Sequence, residues 1–214
     1  MIELHHCADA RSFRVLWALE ELELPYRLHL LPFPPRVHAP EFLKLNLLGT
    51  IPLLVDGETV MTESAAILQY LAVRRGPTPL AVAPDAPDYG AWLNWLSFGE
   101  ATLTFPQTLV LRYRHLEPAE RRLPQAADDY ARWFLSRLRH VDRALAAGEH
   151  LCAGRFTVAD ISVGYALLLA RTLKLDAQFT SAVRAYWDRL AARPAFARAK
   201  AAQGAELDVE ALAG

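Results

Sequence analysis

Cysteine is scarce in this chain: of 214 residues, only Cys7 and Cys152 are cysteine. Two thiols so far apart make neither a disulfide framework nor a metal-ligand cluster, and with no CxxC pair a two-cysteine redox mechanism is not expected. An excess of one charge is lacking too. With 23 basic and 24 acidic residues the net charge is −1, so nothing electrostatic calls for nucleic acid or an anionic membrane as partner. Long hydrophobic runs are missing. The most apolar stretch, Val158 to Ala170, is broken by Asp160 and too short to span a bilayer. The opening Met1-Ile2-Glu3-Leu4-His5-His6 lacks the basic and apolar regions of a secretory signal. A cytoplasmic protein without a metal is the expectation. What is present is core-forming material: 53% of residues are hydrophobic and 22% charged, which argues against disorder, and the length is comfortable for two domains.

The first part alternates strand and helix patterns. Ile2 to His6 predicts a short strand. Ser12 to Leu24 predicts a helix with Phe13, Leu16 and Trp17 on one face, ended by Pro25. Tyr26 to Leu30 alternates apolar and polar residues like a half-buried strand. Leu31 to Ala39 carries three prolines and reads as an irregular loop, followed by a short helix from Pro40 to Leu45. Two β-rich runs then flank Asp56-Gly57, the strongest hairpin signal in the chain. Helical spacing resumes from Ser64 to about Val73. The order is β-α-β-(α)-β-β-α.

Arg74 to Pro87 holds four prolines and little periodicity, as a linker does. Helices are predicted over Ala86 to His115 (kinked at Pro106), Gln125 to Ala147, from Thr157 onward, and Phe179 to Ala192, ended by Pro194. Thr157 and Asp160 form a capping-box pattern. The division is therefore an α/β domain over 1–75, a linker over 76–86 and an all-helical domain over 87–214.

Three stretches carry a resemblance. They are Asn46-Leu47-Leu48-Gly49-Thr50-Ile51-Pro52-Leu53-Leu54, Thr62-Glu63-Ser64-Ala65-Ala66-Ile67-Leu68-Gln69-Tyr70-Leu71 and Gly154-Arg155-Phe156-Thr157-Val158-Ala159-Asp160-Ile161. In this order and spacing they resemble the motifs of the cytosolic glutathione transferases. The resemblance covers nearly the whole chain. It implies a thioredoxin-like, glutathione-binding domain followed by an all-α helical bundle. It implies a cis Ile51–Pro52 bond that frees the Ile51 backbone to pair with glutathione as an added strand. It implies Ser64, at a helix N-terminus, as the receptor of the γ-glutamyl carboxylate, with Glu63 accepting from the ligand ammonium. His38 lies near where some members contact the glycyl carboxylate. The lysine common before the Val-Pro pair is Thr50 here, which removes another expected contact. Without the resemblance, Pro52 reads as the start of an edge strand, Ser64 as an ordinary cap and His38 as a solvated loop residue. Thr157 and Asp160 read as structural.

A thiol titrates near 8.5, so catalysis needs a donor, a positive charge or a helix N-terminus close to sulfur. The usual tyrosine position carries His5 or His6, and the usual serine or cysteine positions carry Ala10 and Arg11. Around them, His6-Cys7-Ala8-Asp9-Ala10-Arg11-Ser12-Phe13-Arg14 resembles a bacterial subgroup in which Ser12 is retained. Ser12 is the leading candidate for activating the thiol, or is simply the helix cap. Arg11 could supply charge. Cys7 could form a mixed disulfide, or be a small buried thiol, and its one charged neighbour, Asp9, would raise its pKa. Arg14 and Trp17 match the subgroup and read as packing and interface residues.

The resemblance places the second substrate, a small hydrophobic electrophile, against the first long helix of the second domain. That helix offers Trp92, Trp95, Phe98, Phe105, Leu109 and Tyr113, each of which taken alone reads as core. Glu100 stands where relatives approach the γ-glutamyl amino group, and Asn94 is a weaker candidate. The function implied is conjugation of glutathione, as co-substrate, to such an electrophile by a homodimer. A glutathione-dependent isomerase or thiol-transferase, or a non-catalytic adaptor, are the alternatives on the same fold.

Overall fold

The computed structural model describes residues 1–74, 76–209 and 212. Residue 75, at the expected end of the first domain, and residues 210, 211, 213 and 214 lie outside them. The chain divides into two compact units: Met1–Ala81 with Ala192–Leu207, and Val82–Ala191 with the residues from Asp208 on.

The first unit is built on a four-stranded sheet in the order β2-β1-β3-β4. The strands are β1 (Ile2–His6), β2 (Tyr26–Leu30), β3 (Leu53–Asp56) and β4 (Thr59–Met61). β1 pairs parallel to β2 and antiparallel to β3, with α1 (Phe13–Glu21) as the crossover between the parallel pair. Alternation sends Ile2, Leu4 and His6 to one face of the sheet, where all three are buried. Asp56-Gly57 makes the hairpin turn, with Gly57 at φ +63°. The proline-rich loop is not wholly irregular: a four-residue helix, α2 (Pro35–His38), starts with a proline in its first turn, followed by a 3₁₀ turn over Pro40–Lys44. α3 (Ser64–Arg74) packs on α1.

The last helix of this unit is not apparent in the sequence. Pro194 does not only end a helix; it opens another, α9 (Pro194–Gln203), which stops at Gly204 with φ +68°. Proline just inside the start and glycine just past the end are the normal signals of a short helix. α9 packs on α1: the Phe196 ring stands edge-on to Trp17 with centroids 5.0 Å apart. Ion pairs from Arg193 to Glu21 and from Arg198 to Glu20 flank that contact. The expected helical domain of 87–214 therefore loses 192–207 to the first unit. Covered by the sheet, α3 and α9, α1 is buried from Phe13 to Leu19.

The second unit contains α4 (Tyr89–Phe98), α5 (Phe105–Leu111), α6 (Pro124–Leu145), α7 (Val158–Thr172) and α8 (Ser181–Ala191). The expected long helix from Ala86 to His115 is broken differently from a proline kink. Two π-helical stretches, Gly99–Thr104 and Arg112–Leu116, bracket α5. Pro106 has no N–H for the carbonyl four residues back, and the wider turn before it accommodates that loss. Gly99 is required where it is, since a Cβ there would meet Ser162 Oγ of α7 at 2.3 Å. α7 is buried from Val158 to Ala170 and forms the core of this unit. Asp160 opens it by accepting from the Thr157 amide at 2.8 Å, while Thr157 Oγ1 accepts from the Ala159 amide at 3.2 Å. No helix among the described residues is long and apolar enough to cross a membrane.

Candidate active site

Strand register gathers the expected site of the first unit. His5 of β1 pairs with Leu53 of β3, and Leu54 of β3 pairs with Met61 of β4. The C-terminal end of β1, the N-terminal end of β3 and the C-terminal end of β4 therefore lie together. The segments that extend from them are the turn into α1, Ile51–Pro52 and the start of α3.

Ile51–Pro52 is cis. Sheet pairing of β3 ends at Leu53, so the Ile51 N–H and C=O lie outside the ladder. Because β3 runs between β1 and β4, Pro52 does not mark an edge strand. The Ile51 side chain packs with Cys7, Ala39, Phe42 and Leu53. His38 is the exposed last residue of α2.

Ser64 is the first residue of α3 and is buried. Its Oγ accepts from Arg14 Nη1 at 3.1 Å. Arg14, on α1, is fully buried. A desolvated guanidinium and a helix N-terminus thus put positive potential at one point, which favours an anion there. From sequence Arg14 reads as a packing residue; only the α1–α3 contact reveals its second role. Glu63, exposed beside Ser64, gives its backbone C=O to the Ile67 amide at 2.8 Å and leaves its carboxylate in solvent.

At the turn into α1 the arrangement departs from expectation. Ser12 is fully buried and makes no side-chain cap. Its hydroxyl lies 2.8 Å from His6 Nδ1 and accepts from the Cys7 amide at 3.3 Å. Gln203 of α9 sets the direction of that bond. Its Nε2 donates to Asp9 Oδ1 at 2.8 Å and to the Ala205 carbonyl at 2.7 Å, so its Oε1 must accept from His6 Nε2 at 3.1 Å. With the proton on Nε2, His6 Nδ1 is an acceptor, and the Ser12 hydroxyl donates to it. The hydroxyl proton expected to face sulfur is thus given to His6. Burial lowers the His6 pKa to about 4, so the ring is neutral near pH 7. Asp9, at φ +50°, completes the network: it receives Lys200 Nζ at 2.8 Å and the Leu207 amide at 3.1 Å.

Cys7 is also fully buried, with Sγ 3.6 Å from the Pro32 carbonyl. Burial pushes its thiol up to about 12. Asp9, expected to raise it, is instead paired with Lys200. Arg11, one residue before Ser12, is half-exposed. Sequence singles out neither His6 nor Gln203 as a functional partner. The second carries no local motif, because its role depends on α9 folding back to the first unit.

Glu100 belongs to the second unit, half-buried in its first π-helical stretch, and Asn94 is exposed on α4. Trp92 and Trp95 are core: Trp92 is fully buried, and Trp95 stacks on His140 at 4.7 Å. Phe98, Leu109 and Tyr113 are half-buried and Phe105 exposed.

A family model described as Glutathione S-transferase, N-terminal domain, matches residues 10–74. The chain is similar to Glutathione S-transferase 3 of Zea mays, 32% identical over 200 residues, covering 88% of each chain. It is also similar to the Disulfide-bond oxidoreductase YfcG of Escherichia coli, 29% identical over 208 residues, covering 93% of this chain and 94% of the other. Among solved structures, a glutathione transferase from Methylococcus capsulatus matches with a TM-score of 0.85 and 26% identity, covering 95% of this chain and 99% of that one.

Proposed function

Because the chain belongs to the glutathione S-transferase family, we propose that the gathering at the strand ends binds glutathione as an extended peptide and presents its thiolate to a small hydrophobic electrophile. One observation carries this reading: register brings the Arg14–Ser64 pair at the start of α3, the unladdered Ile51 backbone and the turn into α1 to one end of the sheet. The γ-glutamyl carboxylate takes the α3 N-terminus and Ser64, with Glu63 receiving the ammonium. The Ile51 N–H and C=O pair with the cysteinyl backbone, and His38 is offered to the glycyl carboxylate. The thiolate then lies at the start of α1, stabilised by the first-turn amides and by the Arg11 guanidinium. Ser12, locked onto His6, acts as a positioning residue beneath that turn. Sulfur attacks the electrophilic carbon, the leaving group departs with its electron pair, and the thiol proton passes to solvent. We place the protein in the cytoplasm, where its free Cys7 and Cys152 suit a reducing pool. We further propose a homodimer, the family's usual assembly, for which Val60 and Val73 at 59% and 60% exposure offer apolar surface beside β4 and α3.

Calorimetry with glutathione and turnover of an aryl halide test the reading. Ser64→Ala should weaken glutathione about tenfold or more, the worth of one charge-assisted hydrogen bond, with the fold retained. An unchanged dissociation constant puts the carboxylate elsewhere. Glutathione binding without turnover favours the adaptor; turnover of a small disulfide in place of the aryl halide favours the activity that the Escherichia coli relative's name describes. Sedimentation as a 23.9 kDa species at micromolar concentration overturns the dimer.

A further inference from the structure

On the sheet face opposite His6, three side chains converge that the proposed reaction does not use. Glu3 and His5 are two apart on β1 and so share a face, and His29 of β2 stands directly across from His5. His29 Nε2 lies 2.8 Å from Glu3 Oε2, and the His5 and His29 rings are stacked with centroids 4.5 Å apart. Their ligating atoms all fall within 4.8 Å of one another. Scarce cysteine argues against a metal site; this cluster escapes that argument because it contains no cysteine and forms only when β1 and β2 pair.

We propose that Glu3, His5 and His29 form a binding site for a divalent transition-metal ion of the zinc or copper(II) type. Two imidazoles and one carboxylate are the donor set such ions take, and three protein ligands leave a position for water. Ligands at about 2.0–2.1 Å from one tetrahedral ion stand roughly 3.4 Å apart, so atoms that now lie within 4.8 Å of one another need to close by up to about 1.4 Å. Rotating the two rings out of their stack supplies that movement. The ion replaces the proton held between His29 Nε2 and Glu3 Oε2, and that proton shifts to Nδ1 or leaves to solvent. The site is also well supported. β1 is an inner strand, and the Phe42 ring packs 5.4 Å from His5. Glu3 and His29 are part-exposed, which gives the ion a path in. Arg27, paired across from Glu3, is the one cation that the strand register sets beside the carboxylate.

The test is calorimetric titration of the tag-free, full-length protein with zinc chloride in a non-coordinating buffer, beside electron paramagnetic resonance of the copper(II) form. Wild type should bind one zinc ion and melt at a higher temperature with zinc than with chelator. His29→Gln and Glu3→Gln, both at part-exposed positions, should weaken zinc about tenfold or more and melt without zinc as wild type does. The copper spectrum should show two imidazole nitrogens in wild type and one in His29→Gln. No saturable binding by wild type at millimolar zinc overturns the proposal. So does binding that both variants retain, which would place the ion on other histidines.

Discussion

In the first unit, the turn leading into α1 is held by a neutral histidine. In the second, the turn leading into α7 is held by a carboxylate. Both networks are buried, and both serve a helix start, but they satisfy it in opposite ways. His6 acts through others: it accepts from Ser12 and donates to Gln203, so the hydrogen bonds run through one ring to a different part of the chain. Asp160 acts alone: its two oxygens receive the Thr157 and Leu151 amides and the Tyr186 hydroxyl. A carboxylate is acceptor-only and can collect donors from anywhere nearby, whereas a neutral imidazole must match one donor and one acceptor. The first network therefore specifies a geometry, and the second concentrates stability at a point.

Removing the carboxylate should give the largest effect. Asp160→Ala leaves two buried amides and the buried Tyr186 hydroxyl without their acceptor. Each orphaned donor costs about 1–3 kcal/mol, so the loss should be roughly 3–5 kcal/mol. Urea denaturation followed by tryptophan fluorescence measures it. A loss below about 1 kcal/mol would mean that water replaces the carboxylate, and the contrast between the two networks would fail.

Acid should separate the networks next. The His6 pKa is lowered from 6.5 to about 4 in the folded chain. Between these values the unfolded chain binds a proton that the folded one does not, so stability falls as pH falls from about 6.5 to about 4. The full difference is roughly 3 kcal/mol, because each tenfold loss of proton affinity is worth about 1.36 kcal/mol. Asp160 works in the other sense. Burial raises its pKa, so its contribution grows as pH falls and is lost as pH rises through the folded value. Denaturation midpoints over this range should slope downward toward acid in wild type, and less so in His6→Asn. Equal slopes in both proteins would remove His6 as the cause.

The two networks also differ in how far sequence reveals them. Thr157-Val158-Ala159-Asp160 is local: both partners lie within one helical turn, and the capping box is legible from spacing alone. The strands and the first helices were legible for the same reason, because periods of two and 3.6 are local. Ser12, His6 and Gln203 are not. Gln203 is 197 residues from His6, and its helix was hidden behind Pro194, which marks an end as readily as a beginning. Ser12 could be identified as important from its place before α1. The direction of its proton depends on an amide that no nearby pattern announces. Arg14 illustrates the same limit: its neighbours on α1 are apolar and buried, and its bond to Ser64 of α3 lies 50 residues away in sequence.

Substitutions at the turn itself test whether the histidine network positions or reacts. Arg11→Gln should lower conjugation about 10²-fold, the effect of removing one positioned electrostatic donor. Ser12→Ala should cost less than about tenfold in kcat/KM, together with about 1 kcal/mol of stability for the lost hydrogen bond. The pH profile distinguishes the roles. Loss of Arg11 should shift the thiol titration toward its free value near 8.5, and loss of Ser12 should leave it in place. If Ser12→Ala shifts the profile and Arg11→Gln does not, the hydroxyl faces sulfur after all, and His6 is its partner in catalysis.

The smallest effect is expected at Cys7, and it bears on which relative this chain follows in chemistry. A thiol-exchange mechanism through the protein needs an accessible thiolate. Cys7 is fully buried, and its thiol is pushed up to about 12 by desolvation. At neutral pH the thiolate fraction is on the order of 10⁻⁵, and no route to solvent is offered by Cys7's packing against Ala10, Ala39, Phe42, Ile51 and Leu53. Cys7→Ala should therefore leave both aryl-halide conjugation and small-disulfide turnover within about twofold of wild type, at a cost of roughly 1 kcal/mol for the lost sulfur contacts. Mass spectrometry after incubation with oxidised glutathione should find no mixed disulfide at residue 7. If disulfide turnover persists in this variant, the sulfur doing the exchange is glutathione's own, held at the α1 turn. If the variant loses disulfide turnover, or wild type gains one glutathione mass at Cys7, the turn opens in solution, and the neutral-histidine network is a gate over the thiol rather than a fixed support.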